Sequence, residues 1–123
     1  MASHNDFGKE AELLALNYLE NKGYKILEQN YRYLKSEIDL IAEFEDQIII
    51  IEVKARSSDV FIEPQQAVNR KKIKQILIGT TYYLEQLSQN KEVRFDIISV
   101  LKSAENSVQI NHIKDAFTPL DAN

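Results

Sequence analysis

The chain has 123 residues, 44% of them hydrophobic and 28% charged, with three glycines, two prolines and no cysteine. That length suits one domain over residues 1–123, able to bury roughly two-thirds of the surface its unfolded form exposes, and the composition is globular rather than that of a linker or repeat. The absence of cysteine excludes disulfides, zinc-thiolate sites, iron-sulfur clusters and thiol nucleophiles, and a formal net charge of −4 argues against general affinity for polyanions.

In chain order, residues 1–7 hold no apolar leader-like run, and the longest unbroken aliphatic run, Ile48 to Ile51, is far too short to cross a bilayer. A soluble, cytoplasmic protein is expected. Asp6 is placed to cap a helix from about Phe7 to Lys22, in which Leu14, Ala15, Tyr18 and Leu19 recur at helical spacing and Gly23 stands where helices end. Tyr24 to Tyr33 reads as extended. Ile38 to Phe44 and Gln47 to Lys54 read as two strands of a β-hairpin around the polar break Glu45-Asp46. Pro64 opens a second predicted helix through about Leu87, with Ile73, Ile76, Leu77, Thr80, Leu84 and Leu87 as its apolar stripe. Val93 to Leu101 and Val108 to Ile113 are the last predicted strands, and Phe117 to Asn123 a tail. The order α-β-β-β-α-β-β predicts an α/β fold, a mixed sheet flanked by helices.

A hairpin loop symmetric about Glu45-Asp46 sets Phe44 opposite Gln47, Asp39 opposite Glu52 and Glu37 opposite Lys54. Strand alternation then puts Glu37, Asp39, Glu52 and Lys54 on one face with Ile41, Ile48 and Ile50, and Ile38, Leu40, Ala42, Ile49, Ile51 and Val53 on the other. Directly opposed acids destabilise a sheet, and partial burial raises the cost by stripping hydration from the carboxylates. A divalent cation offsets both effects: hard oxygen ligands suit Mg²⁺ or Mn²⁺, with water and phosphate oxygens completing the shell. Lys54 can then position or help deprotonate the attacking water, or neutralise the phosphate under attack. Asp followed by Glu-x-Lys on the paired strand is a toolkit for phosphodiester hydrolysis. The alternative reading of the same residues is a solvated strand-end charge cluster in which Lys54 pairs with Glu37, and a three-residue loop would shift the register and undo the pairing.

The segments SEIDLI (Ser36 to Ile41), IEVKARSS (Ile51 to Ser58) and AVNRKK (Ala67 to Lys72) together resemble the YraN-type uncharacterised bacterial family. The likeness runs from Gly8 to about Phe117. It implies a restriction-endonuclease-like fold, similar to PD-(D/E)xK nucleases and Holliday-junction resolvases. It also implies a Mg²⁺- or Mn²⁺-dependent endonuclease acting on DNA, with branched or structured DNA as the substrate suggested by resolvases. Carried over residue by residue, Asp39, Glu52 and Glu12 ligate the metal and Lys54 serves the attacking water. Glu12 is preferred to Glu10 because Gly8, Glu12 and Ala15 match G-x-x-x-E-x-x-A, and a surface glutamate is its alternative reading. Glu37 is expected to restrain Lys54 from outside the metal's own ligands. The chain departs from the family pattern at Ser36, Ala11 and Ile62, where glycine is common, and no ligand position is lost.

From Lys54 to Lys74 six basic residues meet only Asp59 and Glu63, a local excess of +4 in an acidic chain. Arg56 and Lys72, with Arg70 and Lys71, are candidate phosphate contacts, with a solvated helix face as the alternative. Gln65 and Gln66 are near enough to approach a substrate backbone. His4 and His112 lack metal-ligand spacing and receive no role. Ser57 and Ser58 have no histidine nearby in sequence to activate them, and Tyr82 and Tyr83 read as packing residues. Two other functions stay open: a nucleic-acid-binding module of the same fold that does not cut, and a protein-interaction domain. A resolvase-like task would favour a homodimer, because a junction presents paired strands.

Overall fold

A computed structural model describes residues 4–57 and 68–123. The first helix, α1, covers His4–Asn21. It begins earlier than the sequence suggests, so Asp6 lies inside the helix rather than at its cap. Its end follows from Gly23, which takes φ 95 and lets the Tyr24 N–H reach the Leu19 carbonyl at 3.0 Å, a glycine-terminated closure of the last turn. Ala11, Ala15 and Leu19 form the stripe that α1 buries against the sheet.

Among the described residues five strands follow in one sheet, ordered as in the chain: β1 (Lys25–Tyr33), β2 (Ser36–Phe44), β3 (Gln47–Ser57), β4 (Glu92–Lys102) and β5 (Val108–Phe117). All neighbours are antiparallel except β3 and β4, which run parallel because α2 (Arg70–Leu87) crosses between them. The result is the predicted α/β architecture, a mixed sheet flanked by α1 and α2 and consistent with a restriction-endonuclease-like core. Its strands read as near-continuous apolar runs because each face carries a helix: Ile41, Ile48, Ile50 and Ile97 pack on the α2 side, Leu40, Ala42, Ile49, Ile51 and Ile98 on the α1 side.

The β2–β3 loop is the two-residue turn that the sequence implies. Glu45 and Asp46 both take positive φ, 50 and 65, the pattern that matches the twist of a tight hairpin. The register is accordingly symmetric, Phe44 facing Gln47 and Leu40 facing Ile51. The ladder ends there. On the β1 side, Asn30 adopts φ 52 between the pairs Gln29–Leu40 and Tyr31–Ile38, a conformation that asparagine tolerates better than most residues. At this level the alternation of β2 reverses: Ile38 joins Ile41 on the α2 side, whereas Leu40 and Ala42 face α1. This corrects the expectation that Ile38 shares a face with Leu40, and it places Asp39 at the point of reversal.

Helix α2 starts at Arg70, later than a helix opened by Pro64 would. Asn69 caps it, its Oδ1 accepting the Lys72 N–H at 2.9 Å, so the cap decides the boundary. Pro64, Gln65 and Gln66 lie outside the described residues. The expected stripe is buried or half-buried, with Tyr83 added to it. Gly79 lets α2 approach the sheet closely, because a Cβ there would stand 2.2 Å from Ser36 Oγ. Strand β5 continues past Ile113 to Phe117, and the expected tail is instead packed: Pro119–Ala122 form a 3-10 turn capped by Thr118 and Asp121, with Phe117 and Ala122 buried. Among the described residues no helix is long and apolar enough to cross a membrane.

Candidate metal and nucleic-acid site

Beyond Leu40–Ile51, where the β2–β3 ladder ends, Asp39 bridges the two strands: Oδ2 accepts the Val53 N–H at 2.7 Å. The two acids are therefore brought together by a side-chain-to-backbone bond rather than by continued ladder pairing. Glu52 is 2% exposed and belongs to β3 beside Ile97 of β4. Its Oε1 is buried with no hydrogen-bond partner among the described residues. Its Oε2 stands 4.0 Å from Nζ of Lys72, on the first turn of α2.

Burial, and then the neighbouring charge of Asp39, push the Glu52 carboxyl up to about 8, with Lys72 and Lys54 opposing the rise. Burial raises Asp39 as well, against the Val53 N–H and the two lysines. When Glu52 keeps its proton it can hydrogen-bond to Asp39, so the pair shares negative charge that the protein alone does not fully neutralise. Glu12 of α1 is the third acid nearby. Burial first, and the charge of Asp39 second, raise its carboxyl, while the Asn30 amide holds it down. Glu10 instead forms a surface pair with Lys102 at 3.6 Å.

Glu37 does not join this group. It faces Arg32 across the β1–β2 pair, 3.3 Å away with both side chains largely exposed, which corrects its expected position opposite Lys54. The reversal at Asp39 is the reason, because it takes the start of β2 out of the β2–β3 ladder. Arg56 continues β3 two residues beyond Lys54 and is half-buried, its Nε without a partner among the described residues. Arg70 and Lys71 are exposed on the first turn of α2. Ser57 ends β3, and Ser58 lies outside the described residues.

Among the described residues no three Asp, Glu, His or Cys side chains gather into a complete ion cage. Mg²⁺ does not require one, since it is commonly held by one or two carboxylates with water and phosphate oxygens completing an octahedron. An orphaned, buried carboxylate oxygen beside a second carboxylate is what such an ion would satisfy. The donor set thus fits a hard divalent cation at Asp39 and Glu52, with Glu12 near enough to act on it through charge.

The model of the Uncharacterised protein family UPF0102 matches residues 11–100. The chain belongs to that family. A UPF0102 protein of Christiangramia forsetii is similar at 46% identity over 117 residues, covering 95% of this chain and 98% of its own length. One from Phocaeicola vulgatus is 44% identical over 119 residues, 97% of this chain and 98% of the relative. Another, from Thermodesulfovibrio yellowstonii, is 45% identical over 112 residues, 91% and 96% of the two chains. The segment that defines UPF0102 here contains Glu12, Asp39, Glu52, Lys54 and Lys72.

A second polar centre escapes the sequence reading. Asp96, fully buried on β4, accepts two bonds from the Arg94 guanidinium (2.9 and 2.8 Å) and one from the Asp115 N–H (3.0 Å). His112 completes it, with Nε2 2.7 Å from Asp96 Oδ2 and Nδ1 3.2 Å from the Tyr18 hydroxyl of α1. Arg94 also donates to Tyr24 at 2.8 Å. The readable signal was Arg94 and Asp96 two apart, hence on one face, in a stretch, Val93 to Ile98, whose other residues are apolar. Nothing in the spacing of His112 pointed to them.

Proposed function

We propose that this UPF0102 protein is a Mg²⁺- or Mn²⁺-dependent endonuclease that hydrolyses DNA phosphodiester bonds, with branched or otherwise structured DNA as the substrate class. The observation that carries the reading is the buried Glu52 carboxylate, one oxygen without a partner among the described residues, beside Asp39 and under the charge of Lys72 and Lys54. Asp39 and Glu52, with Glu12 alongside, would hold the ion. Bound there, it would supply Lewis acidity and make a nucleophile available at neutral pH.

The chain's own residues supply the rest. The Val53 N–H fixes the Asp39 carboxylate, so the group has a set direction. Lys54, whose charge acts on both acids, would take a proton from the attacking water or neutralise the phosphate. Lys72, delivered by the Asn69-capped first turn of α2, and Arg56 at the end of β3 would contact phosphate oxygens, giving affinity without sequence preference. A cytoplasmic setting and a two-fold dimer able to engage paired strands belong to the same proposal.

Purified protein with Mn²⁺ should cut at least one of a nicked, a branched and a single-stranded DNA, and Asp39→Asn or Lys54→Ala should abolish the product. Cutting by both variants at the wild-type rate overturns the assignment. A second reading, a non-cutting nucleic-acid-binding module, draws on the absence of a complete three-ligand cage among the described residues. It predicts binding that ignores metal, weakens with salt and with Lys72→Ala, and yields no product.

A further inference from the structure

One exposed stripe of α2 leads away from the carboxylates. Lys71, Lys74, Ile78 and Tyr82 recur at three- and four-residue spacing and so share a face. The stripe begins next to Lys72, which reaches Glu52, and ends where Tyr82 stacks on Tyr33 of β1, ring centroids 3.8 Å apart and planes at 11°. Beyond Tyr33 the β1–β2 turn presents Leu34, 81% exposed, and then Lys35. The turn is held against the helix where Ser36 meets Gly79. Between helix and turn runs a shallow groove lined by Tyr33, Ile78, Thr81 and Tyr82, with Glu85 at its far end.

The charges and the flat surfaces of this stripe suit one occupant. Among the described residues Lys35, Lys71 and Lys74 form no salt bridge. They alternate with an aromatic pair and two exposed aliphatic side chains, Leu34 and Ile78. Lysines that need anions, interleaved with surfaces that need apolar faces, match a strand whose phosphates and unstacked bases are both accessible. A duplex hides its base faces and would set Leu34 and Ile78 against phosphates. From Lys71 to Tyr82 the helix rises about 16 Å, room for a few nucleotides of an unstacked strand.

We propose that this stripe carries an unpaired DNA strand from the carboxylate site to the Tyr33–Tyr82 stack, which would make a single-stranded branch adjoining the cleaved bond the recognised feature of the substrate. The proposal rests on the nuclease reading of Asp39 and Glu52, and its test is kept separate from theirs.

Metal-free protein in chelator is titrated with a fluorescent oligodeoxyadenylate of about 12 nucleotides and with a duplex of equal length. The single strand should bind more tightly. Tyr82→Ala should weaken it at least about fivefold through lost stacking, and Leu34→Ser, a change at an exposed turn that leaves packing intact, should weaken it measurably. Lys74→Ala should reduce the salt slope by about 0.7. Manganese binding, measured in parallel, should be the same for all three variants. No binding of the single strand at low salt, preference for the duplex, or wild-type affinity in both Tyr82→Ala and Leu34→Ser overturns the proposal. Loss of manganese binding in Asp39→Asn alone would still support the carboxylate site, so the two ideas fail separately.

Discussion

Glu52 and Asp96 lie on adjacent parallel strands, one residue apart in register and on opposite faces of the sheet, and both are almost completely buried. Asp96 is surrounded by donors: burial by itself would raise its carboxyl, but His112, Arg94 and the Asp115 N–H outweigh it and hold the group below its usual value. Among the described residues Glu52 has one lysine at 4.0 Å and an Oε1 without a partner, and burial with the Asp39 charge lifts it to about 8. The difference teaches that burial alone does not mark a functional acid. A buried charge with its hydrogen bonds complete holds α1 to the sheet through Tyr18; a buried charge with them incomplete marks a candidate site.

Removing the satisfied acid should have the largest effect. Asp96→Ala leaves the Arg94 guanidinium, 17% exposed, without its carboxylate, and breaking such a pair costs about 3–5 kcal/mol. Urea denaturation should show that loss, and a change below about 1 kcal/mol would erase the distinction between the two acids. The opposite sign is expected at the other site. Glu52→Gln removes an incompletely paired charge, so metal-free protein should gain about 1–3 kcal/mol above pH 8.

The pH profiles separate the pair further. Because the Glu52 pKa is raised in the fold, its contribution is fully present below 4.5 and is lost as pH rises through about 8. Asp96 behaves in reverse: its contribution is present above 3.8 and lost as pH falls through its lowered folded value. Thermal melts of metal-free protein should therefore decline from mildly acidic pH toward pH 9. Glu52→Gln should flatten that decline and leave the acid limb unchanged.

Smaller effects test how the elements deliver the site. Gly79→Ala places a methyl 2.2 Å from Ser36 Oγ, and such overpacking costs about 1–3 kcal/mol; by lifting α2 it should also weaken the hold of Lys72 on Glu52. Glu37→Ala should cost no more than about 0.5 kcal/mol, because its pair with Arg32 is largely exposed. A larger loss in that variant would place Glu37 in the site after all.

Much of this was legible in the sequence because it depended on local rules. Hydrophobic period and turn chemistry carry the element order, and the Glu45-Asp46 turn carries the symmetric β2–β3 register, as Leu40 opposite Ile51 shows. The turn also brings Asp39 near Glu52, but the ladder stops at Leu40–Ile51 before the expected pairing of the two acids, and Asp39 is held instead by the Val53 N–H. The reversal at Asp39 was not legible, since no periodic signal marks it: it falls at the level of the left-handed Asn30 of a different strand, and Glu37 and Ile38 lie beyond it. The start of α2 was misread because Pro64 is a strong start signal while Asn69 is a quieter one whose bond to the Lys72 N–H decides the boundary. The Asp96 network joins α1, β4 and β5, and contacts between residues as distant as Tyr18 and His112 leave no periodic trace in a single chain.

The central claim is that Asp39 and Glu52 together hold one divalent cation. Calorimetric titration of the metal-free protein with Mn²⁺ tests it without a choice of substrate. The account predicts saturable binding by the wild type that disappears in both Asp39→Asn and Glu52→Gln. Equal binding by the wild type and both variants, or none by the wild type, would contradict it.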